Sequence, residues 1–233
     1  MFLLALDTSG PTGSVAVLKE GALLSEITWE AKSSHTSELP DQVQAVLKKA
    51  ELDFGRVDGI AVTLGPGSFT GLRIGLAFVK GLAQAEKKPV IGVSTLWALA
   101  RAVSGEGPIV PLLSAKRDEI YGAAFEPAPA GLSLLLEERA ASPEAFLEDL
   151  KGCIPTLKGP LRFLGSGARY YEKEIRSTFP EAEFLPVSYD AVQARRVGEI
   201  GFEGFKAGRF SRGGVDLVPQ YLRASEAELK RKK

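Results

Sequence analysis

The sequence predicts an α/β protein of two halves, each a mixed sheet flanked by helices. Three observations lead there. The amino-terminal part reads as three short strands in succession, then helix, strand, helix, strand and helix, an order that asks for a sheet covered by helices. From Gly59 to Ala83 a continuous apolar run passes through Gly65-Pro66-Gly67 into a helical pattern, so a buried strand, a sharp turn and a helix follow one another directly. After Val103-Ser104-Gly105-Glu106-Gly107-Pro108 breaks the pattern, the second half again begins with a strand meander, a weak sign of internal duplication. The boundary is placed there, giving halves of residues 1–102 and 103–233, with the last helix a candidate to pack back on the first.

Each element has its own reason. Phe2 to Leu6 is an apolar run suited to a buried strand, which Asp7-Thr8-Ser9 ends; Gly10-Pro11-Thr12-Gly13 then turns the chain back into Ser14 to Leu18 as a hairpin. Lys19-Glu20-Gly21 makes the next turn, and Ala22 to Glu30 is a third strand. A helix from about Ser37 to Ala50 carries Leu39, Val43, Val46 and Leu47 on one face and tolerates Pro40 in its first turn. Ile60 to Leu64 is a strand buried on both faces, and Ser68 stands where the next helix needs an N-cap. Val90 to Val93 and a short helix from Leu96 to Ala102 complete the first half. In the second, Ile109 to Leu113, Ile120 to Phe125 and Leu132 to Leu136 are strands, and Ser142-Pro143-Glu144 opens a helix with cap, proline and acid well placed. Leu161 to Leu164 is a strand ended by Gly165-Ser166-Gly167, followed by helices near Tyr170 to Thr178 and from about Ala191 to Phe205.

The helix after Ser68 is apolar nearly all round. Leu72, Leu76, Val79 and Ala83 lie along one face, while Ile74, Phe78 and Leu82 widen the oily surface and only Arg73 and Lys80 interrupt it. Such a helix needs cover on two sides, one from its own sheet and one from something else. Gly71 and Gly75, one turn apart, cost about 1 kcal/mol each against alanine, which points to close approach of another backbone.

A glycine-rich turn feeding a helix N-terminus presents amides and a positive dipole end to an anion. Asp7, Thr8 and Ser9 with Gly65, Gly67 and Ser68 are the candidate phosphate-facing set. The spacing departs from the familiar loops: Gly71 is followed by Leu72-Arg73 rather than a lysine and a hydroxyl, and Gly65, Gly67 and Gly71 are one residue too widely spaced for the dinucleotide pattern. The alternative is a tight turn with close helix packing, Asp7-Thr8-Ser9 satisfying the hairpin's own amides.

With 29 basic and 29 acidic residues the chain has no global field to draw nucleic acid or an anionic membrane. Any such contact needs a local patch, for which Lys230 to Lys233 is one candidate. Cys153 is the only cysteine, which excludes an internal disulfide and fits a reducing compartment. The opening strand reaches Asp7 too soon for a signal peptide and no run is long enough to span a membrane, so a cytoplasmic protein is expected. His35 is the single histidine, too few for a metal centre built on paired histidines. A nucleophilic triad would need it beside Ser33, Ser37, Cys153 or an aspartate, so a loop or capping role is the plainer reading and no catalytic residue is assigned.

Asp7-Thr8-Ser9 in the first hairpin, His35 ahead of a helix, the stretch from Gly65 to Arg73 and the closing Pro219-Gln220-Tyr221-Leu222-Arg223 together resemble the bacterial TsaB family, once called YeaZ, over nearly the whole chain. Ser114-Ala115-Lys116-Arg117-Asp118-Glu119-Ile120-Tyr121 resembles that family's Asp-Ala-Arg-x-x-Glu-Val-Tyr hairpin, with serine at 114 in place of the usual acid. The resemblance implies an actin-like, sugar-kinase-like (ASKHA) fold of two lobes with a cleft between them. It further implies a non-catalytic subunit needed to make N6-threonylcarbamoyladenosine in tRNA. Such a chain is an inactive paralogue and partner of the metal-bearing threonylcarbamoyltransferase TsaD, with the ATPase TsaE joining and tRNA met through the complex. The family pairs through two helices of the first lobe, which here puts Leu39, Val43, Val46, Gly71, Leu72, Ile74, Gly75, Leu76, Phe78 and Val79 on the expected interface. Alone, the chain is expected to form a homodimer through the same patch; no cofactor is expected, with weak nucleotide binding left open. The alternative is an actin-like-fold ATPase or small-molecule kinase using Asp7, Thr8 and the Gly65 loop for phosphate and magnesium. A protease has no plausible nucleophile and base here.

Overall fold

The computed structural model describes residues 1–31, 35–115, 118–129, 131–153 and 159–222. In chain order the first elements are strands β1 (Phe2–Asp7), β2 (Thr12–Lys19) and β3 (Ala22–Glu30), helix α1 (His35–Lys49), β4 (Gly59–Gly65), α2 (Phe69–Ala85), β5 (Pro89–Ser94) and α3 (Thr95–Arg101). There follow β6 (Ile109–Ser114), β7 (Ile120–Ala128), β8 (Gly131–Ala141), α4 (Pro143–Cys153), β9 (Arg162–Leu164), α5 (Ser166–Tyr170), α6 (Glu172–Thr178) and β10 (Glu183–Phe184). Last come α7 (Ala194–Lys206) and β11 (Ser211–Arg212).

The elements form two units. The first takes the described residues of Met1–Ala98 with Val192–Gln220 and is built on a six-stranded sheet of order β11-β5-β4-β1-β2-β3. β1, β2 and β3 are antiparallel neighbours, while β4 runs parallel to β1 and β5 parallel to β4. The strand period of two sorts its apolar residues to two faces. Leu4, Leu6, Val15, Val17, Ile60 and Val62 share a core with Leu39, Val43 and Val46 of α1 and Leu76 and Val79 of α2. The alternate residues Leu18, Ala61 and Ile91 receive α7 through Gly198, Gly201 and Gly204, whose missing β-carbons would each fall within 2.6 Å of them. Cover on both faces is why β1 and β4 read as unbroken apolar runs.

The second unit comprises the described residues of Leu99–Ala191 with Tyr221 and Leu222, on a five-stranded sheet of order β10-β9-β6-β7-β8. Here β6, β7 and β8 form the antiparallel meander, with β9 parallel to β6 and β10 parallel to β9. The core gathers Val110, Leu112, Phe146, Leu150, Phe163 and Ile175. The sequence β10-β9-β6-β7-β8 repeats β5-β4-β1-β2-β3 strand for strand, so both units carry one topology.

The structure departs from the sequence reading in four places. The two units divide at 98/99 instead of 102/103; α7 lies in the first unit, the packing for which the sequence made it a candidate, its glycines seated on that unit's sheet. The single helix expected near Tyr170 to Thr178 is two, α5 and α6, separated at Tyr171. α5 begins at Ser166, directly after Gly165 with φ of +93°, inside a tripeptide read only as a strand terminator. The two-residue strands β10 and β11 carry no pattern that a sequence can show.

Candidate functional site

The parallel strands β1, β4 and β5 end side by side, with Leu6 opposite Val62 and Thr63 opposite Val93. In open α/β sheets that edge is where ligands collect. Here it gathers the residues singled out by sequence. Asp7 is fully buried; its Oδ1 accepts from the Thr63 hydroxyl at 2.7 Å and from the Ser9 amide at 3.2 Å, while Oδ2 is buried without a partner among the described residues. Burial lifts this carboxyl above its ordinary 3.8, against the opposing pull of those hydrogen bonds and of nearby His35.

The glycine loop folds onto β1's end and commits two of its amides, those of Ser68 and Gly71, to the protein's own oxygens. Ser68 caps α2, its hydroxyl accepting from the Gly71 amide at 3.2 Å, and its own amide donates to the Ser9 carbonyl at 2.7 Å. A β-carbon on Gly67 would stand 2.5 Å from the Ser9 carbonyl oxygen, and one on Gly71 would stand 2.0 Å from that of Thr8. The Thr8 hydroxyl donates to the Gly71 carbonyl at 2.8 Å. Asp7, Thr8, Ser9, Gly65, Gly67 and Ser68 are thus brought together, with the Ser9 and Thr8 carbonyl oxygens packed against Gly67 and Gly71.

The C-terminal motif closes the same loop. Gln220 donates its amide to the Leu64 carbonyl at 2.7 Å, and its own carbonyl lies 2.8 Å from where a β-carbon on Gly65, at φ of +123°, would sit. His35 Nε2 donates to the Gly10 carbonyl at 2.8 Å, and its ring meets Trp29 edge-on at 5.8 Å. It is a buried strut between the β1–β2 turn and α1. Among the described residues no three His, Cys, Asp or Glu side chains are grouped to hold a metal ion. No helix there is long and apolar enough to cross a membrane. Ser33, Lys116, Arg117, Arg223 and the basic stretch Lys230 to Lys233 lie outside the described residues.

The expected pairing residues divide sharply. Leu39, Val43 and Val46 of α1 and Gly71, Leu72, Gly75, Leu76 and Val79 of α2 are buried in the first unit's own core, none of the apolar side chains more than 5% exposed. A partner cannot reach them, because the apolar stripe of each helix is spent on its own sheet. α1 turns a polar face outward, with Ser37, Asp41, Gln44 and Lys48 exposed. Ile74 and Phe78, with Leu82, are half-buried along the outer edge of α2 and rim the core. The sequence reading passed over Thr63, the one polar residue of an otherwise apolar strand, and that oddity was its signal.

Comparison with known proteins agrees with this geometry. The family model of TsaD, tRNA N6-adenosine threonylcarbamoyltransferase, matches residues 24–230. The tRNA threonylcarbamoyladenosine biosynthesis protein TsaB of Bacillus subtilis is 29% identical over 231 residues, 99% of this chain and 97% of that one. The structure of YeaZ from Pseudomonas aeruginosa superposes with a TM-score of 0.79 at 28% identity, over 94% of this chain and 99% of that one. Component A of (R)-2-hydroxyglutaryl-CoA dehydratase from Acidaminococcus fermentans, at 11% identity and a TM-score of 0.50, shares the fold over 89% of this chain and 99% of its own. The two mixed sheets flanked by helices are those of the actin-like, sugar-kinase-like class, and the chain belongs to the TsaD family and, within it, to the TsaB (YeaZ) proteins.

Proposed function

We propose that this chain is a non-catalytic subunit in the formation of N6-threonylcarbamoyladenosine in tRNA, pairing in the cytoplasm with a TsaD-like paralogue that performs the transfer. The name of the Bacillus subtilis relative supports the pathway. The observation that carries the non-catalytic part is the filled glycine loop: the Ser68 amide is spent on Ser9 and the Gly71 amide on the Ser68 hydroxyl, where a phosphate-handling enzyme keeps such amides for its ligand. Metal chemistry of the TsaD kind, resting on paired histidines, is not available to a chain with one histidine, and His35 is held by the Gly10 carbonyl. No cofactor is needed by such a subunit.

The pairing surface we assign is the outer edge of α2, Ile74, Phe78 and Leu82, which is apolar, half-buried and continuous with the first unit's core. A TsaE-like ATPase joins the assembly, tRNA is met through it, and the free chain pairs with itself by the same edge. Reconstitution tests this. Given tRNA, threonylcarbamoyl-adenylate and the TsaD-like and TsaE-like proteins, modified adenosine forms only when this chain is added, and the chain alone hydrolyses ATP no faster than buffer. Modification without the chain, or ATP turnover by it alone, favours the kinase or ATPase reading instead.

A further inference from the structure

An open groove of about 490 Å³ lies on the first unit between the end of α2 and β11, away from the glycine loop, and the function proposed above makes no use of it. Its floor is apolar, formed by Ala83, Pro89, Val215 and the ring of Phe210. Phe210 is 43% exposed on one side and stacked on Phe205 at 5.5 Å on the other, a supported aromatic platform. Lys87 and Arg212 line the same groove, no carboxylate does, and neither of these side chains makes a hydrogen bond or ion pair among the described residues. The walls are fixed. Arg212 pairs with Pro89 across β11 and β5, the Gly213 amide donates to the Lys88 carbonyl at 3.2 Å, and Lys80 Nζ donates to the Val215 carbonyl at 3.2 Å. Gly213, in the lining, and Gly214 beside it are both at φ of +67°, a bend that glycine adopts without strain.

We propose that this groove is an RNA-binding site in which one base stacks on Phe210 and the adjoining phosphates lie between Lys87 and Arg212. Unpaired cations beside a rigid aromatic face, with no acid in the lining, are the composition that single-stranded nucleic acid requires. Two acids close in sequence, Asp216 and Glu86, stay outside the lining, and the Asp216 carboxylate accepts from the Ser211 hydroxyl at 3.0 Å. The carboxyl end of α2 opposes an anion with about half a charge, less than the two full charges facing it. In a chain whose 29 basic and 29 acidic residues cancel, this is a local field and no consequence of overall charge. The groove is open to solvent, so a bound base can continue into neighbouring nucleotides outside it. The choice of RNA among polyanions rests on the tRNA-modification reading above.

The test is fluorescence anisotropy of a labelled single-stranded RNA oligonucleotide titrated with the intact chain at several salt concentrations. Lys87→Glu with Arg212→Glu is expected to weaken binding by at least about tenfold and, at about 0.7 per phosphate contact, to flatten the logarithmic salt slope by about 1.4. Phe210→Ala is expected to weaken it about tenfold by loss of stacking. The charge-matched pair Lys151→Glu with Lys173→Glu, exposed on the second unit, is expected to stay within about twofold of wild type. Circular dichroism melts of every variant keep unfolding from passing as lost binding. The proposal is overturned by wild type that binds no RNA, by groove variants that match the control pair, or by adenosine monophosphate displacing the RNA at equal concentration. RNA binding is read without any partner protein, so its failure beside successful reconstitution removes the groove alone, and the converse removes the subunit reading alone.

Discussion

Thr8 and Gly71 are locked face to face: the threonine hydroxyl donates to the glycine carbonyl at 2.8 Å, and a β-carbon on Gly71 would stand 2.0 Å from the Thr8 carbonyl oxygen. Neither backbone has room to retreat, one ending β1 and the other opening α2. Gly71→Ala should therefore destabilise the fold by about 3 kcal/mol through overpacking, read as a lower urea midpoint. Gly81, in the same helix but with nothing within 4 Å of its missing β-carbon, gives the opposite sign: Gly81→Ala should gain about 1 kcal/mol. Equal effects at the two positions contradict the packing role.

Asp7 makes stability depend on pH in an unusual direction. Its folded carboxyl titrates above the ordinary 3.8 because burial penalises the charge. Below that ordinary value both folded and unfolded chains hold the proton, and the contribution to stability is whole. As pH rises through the folded value the unfolded chain has already released its proton, so stability falls. Asp7→Asn keeps an oxygen to accept from Thr63 and removes the charge. Its stability relative to wild type should climb steadily as thermal melts are moved from acid to neutral pH; a flat or falling difference shows that the carboxylate has a partner.

The inner and outer rows of α2 should answer to charge differently. Leu76 is 5% exposed in the core, and Leu76→Asp should cost about 4 kcal/mol or more, enough to lose the fold. Ile74 is half-buried at the rim, and Ile74→Asp should cost about 1 kcal/mol while abolishing self-association in analytical ultracentrifugation. A folded Ile74→Asp chain that still dimerises puts the pairing surface elsewhere.

In the second unit Arg162 is buried, and its guanidinium donates to the carbonyls of Ser104, Gly105 and Gly107 at 2.7, 3.2 and 2.6 Å. Arg162→Met strands three acceptors and should cost about 3 kcal/mol, with hydrogen exchange rising in residues 103–108. Arg162→Lys should recover little, since an ammonium lacks the planar fork that reaches three carbonyls at once. Unchanged exchange there means that the loop holds itself.

Local chemistry made much of this fold legible. β3 spans the residues read for it, Ala22 to Glu30, and α2 begins at Phe69 because Ser68 caps it and the proline-glycine turn leaves no choice. What stayed hidden was non-local. The sequence offered the last helix as a candidate to pack on the first half, but its seat is made where three glycines meet Leu18, Ala61 and Ile91, residues over a hundred positions away, and no periodicity encodes those contacts. Most of the expected pairing residues, though not Ile74 and Phe78, lie in the core for a related reason. An apolar stripe states that a face is covered without saying by what, so Leu39 and Val46 of α1 looked like interface while they were core. The glycine loop raised the same ambiguity between ligand and backbone, and no sequence pattern could show that the Ser68 amide donates to the Ser9 carbonyl.

The most direct measurement is threonylcarbamoyl transfer to tRNA by the TsaD-like protein in the presence of wild-type chain or Phe78→Asp, a substitution at the half-buried rim that keeps Leu76 and Val79 of the core. The account predicts that wild type supports full modification, while the variant, folded by circular dichroism, binds the paralogue at least about thirtyfold more weakly and supports little. A folded Phe78→Asp chain that sustains modification at the wild-type rate contradicts it.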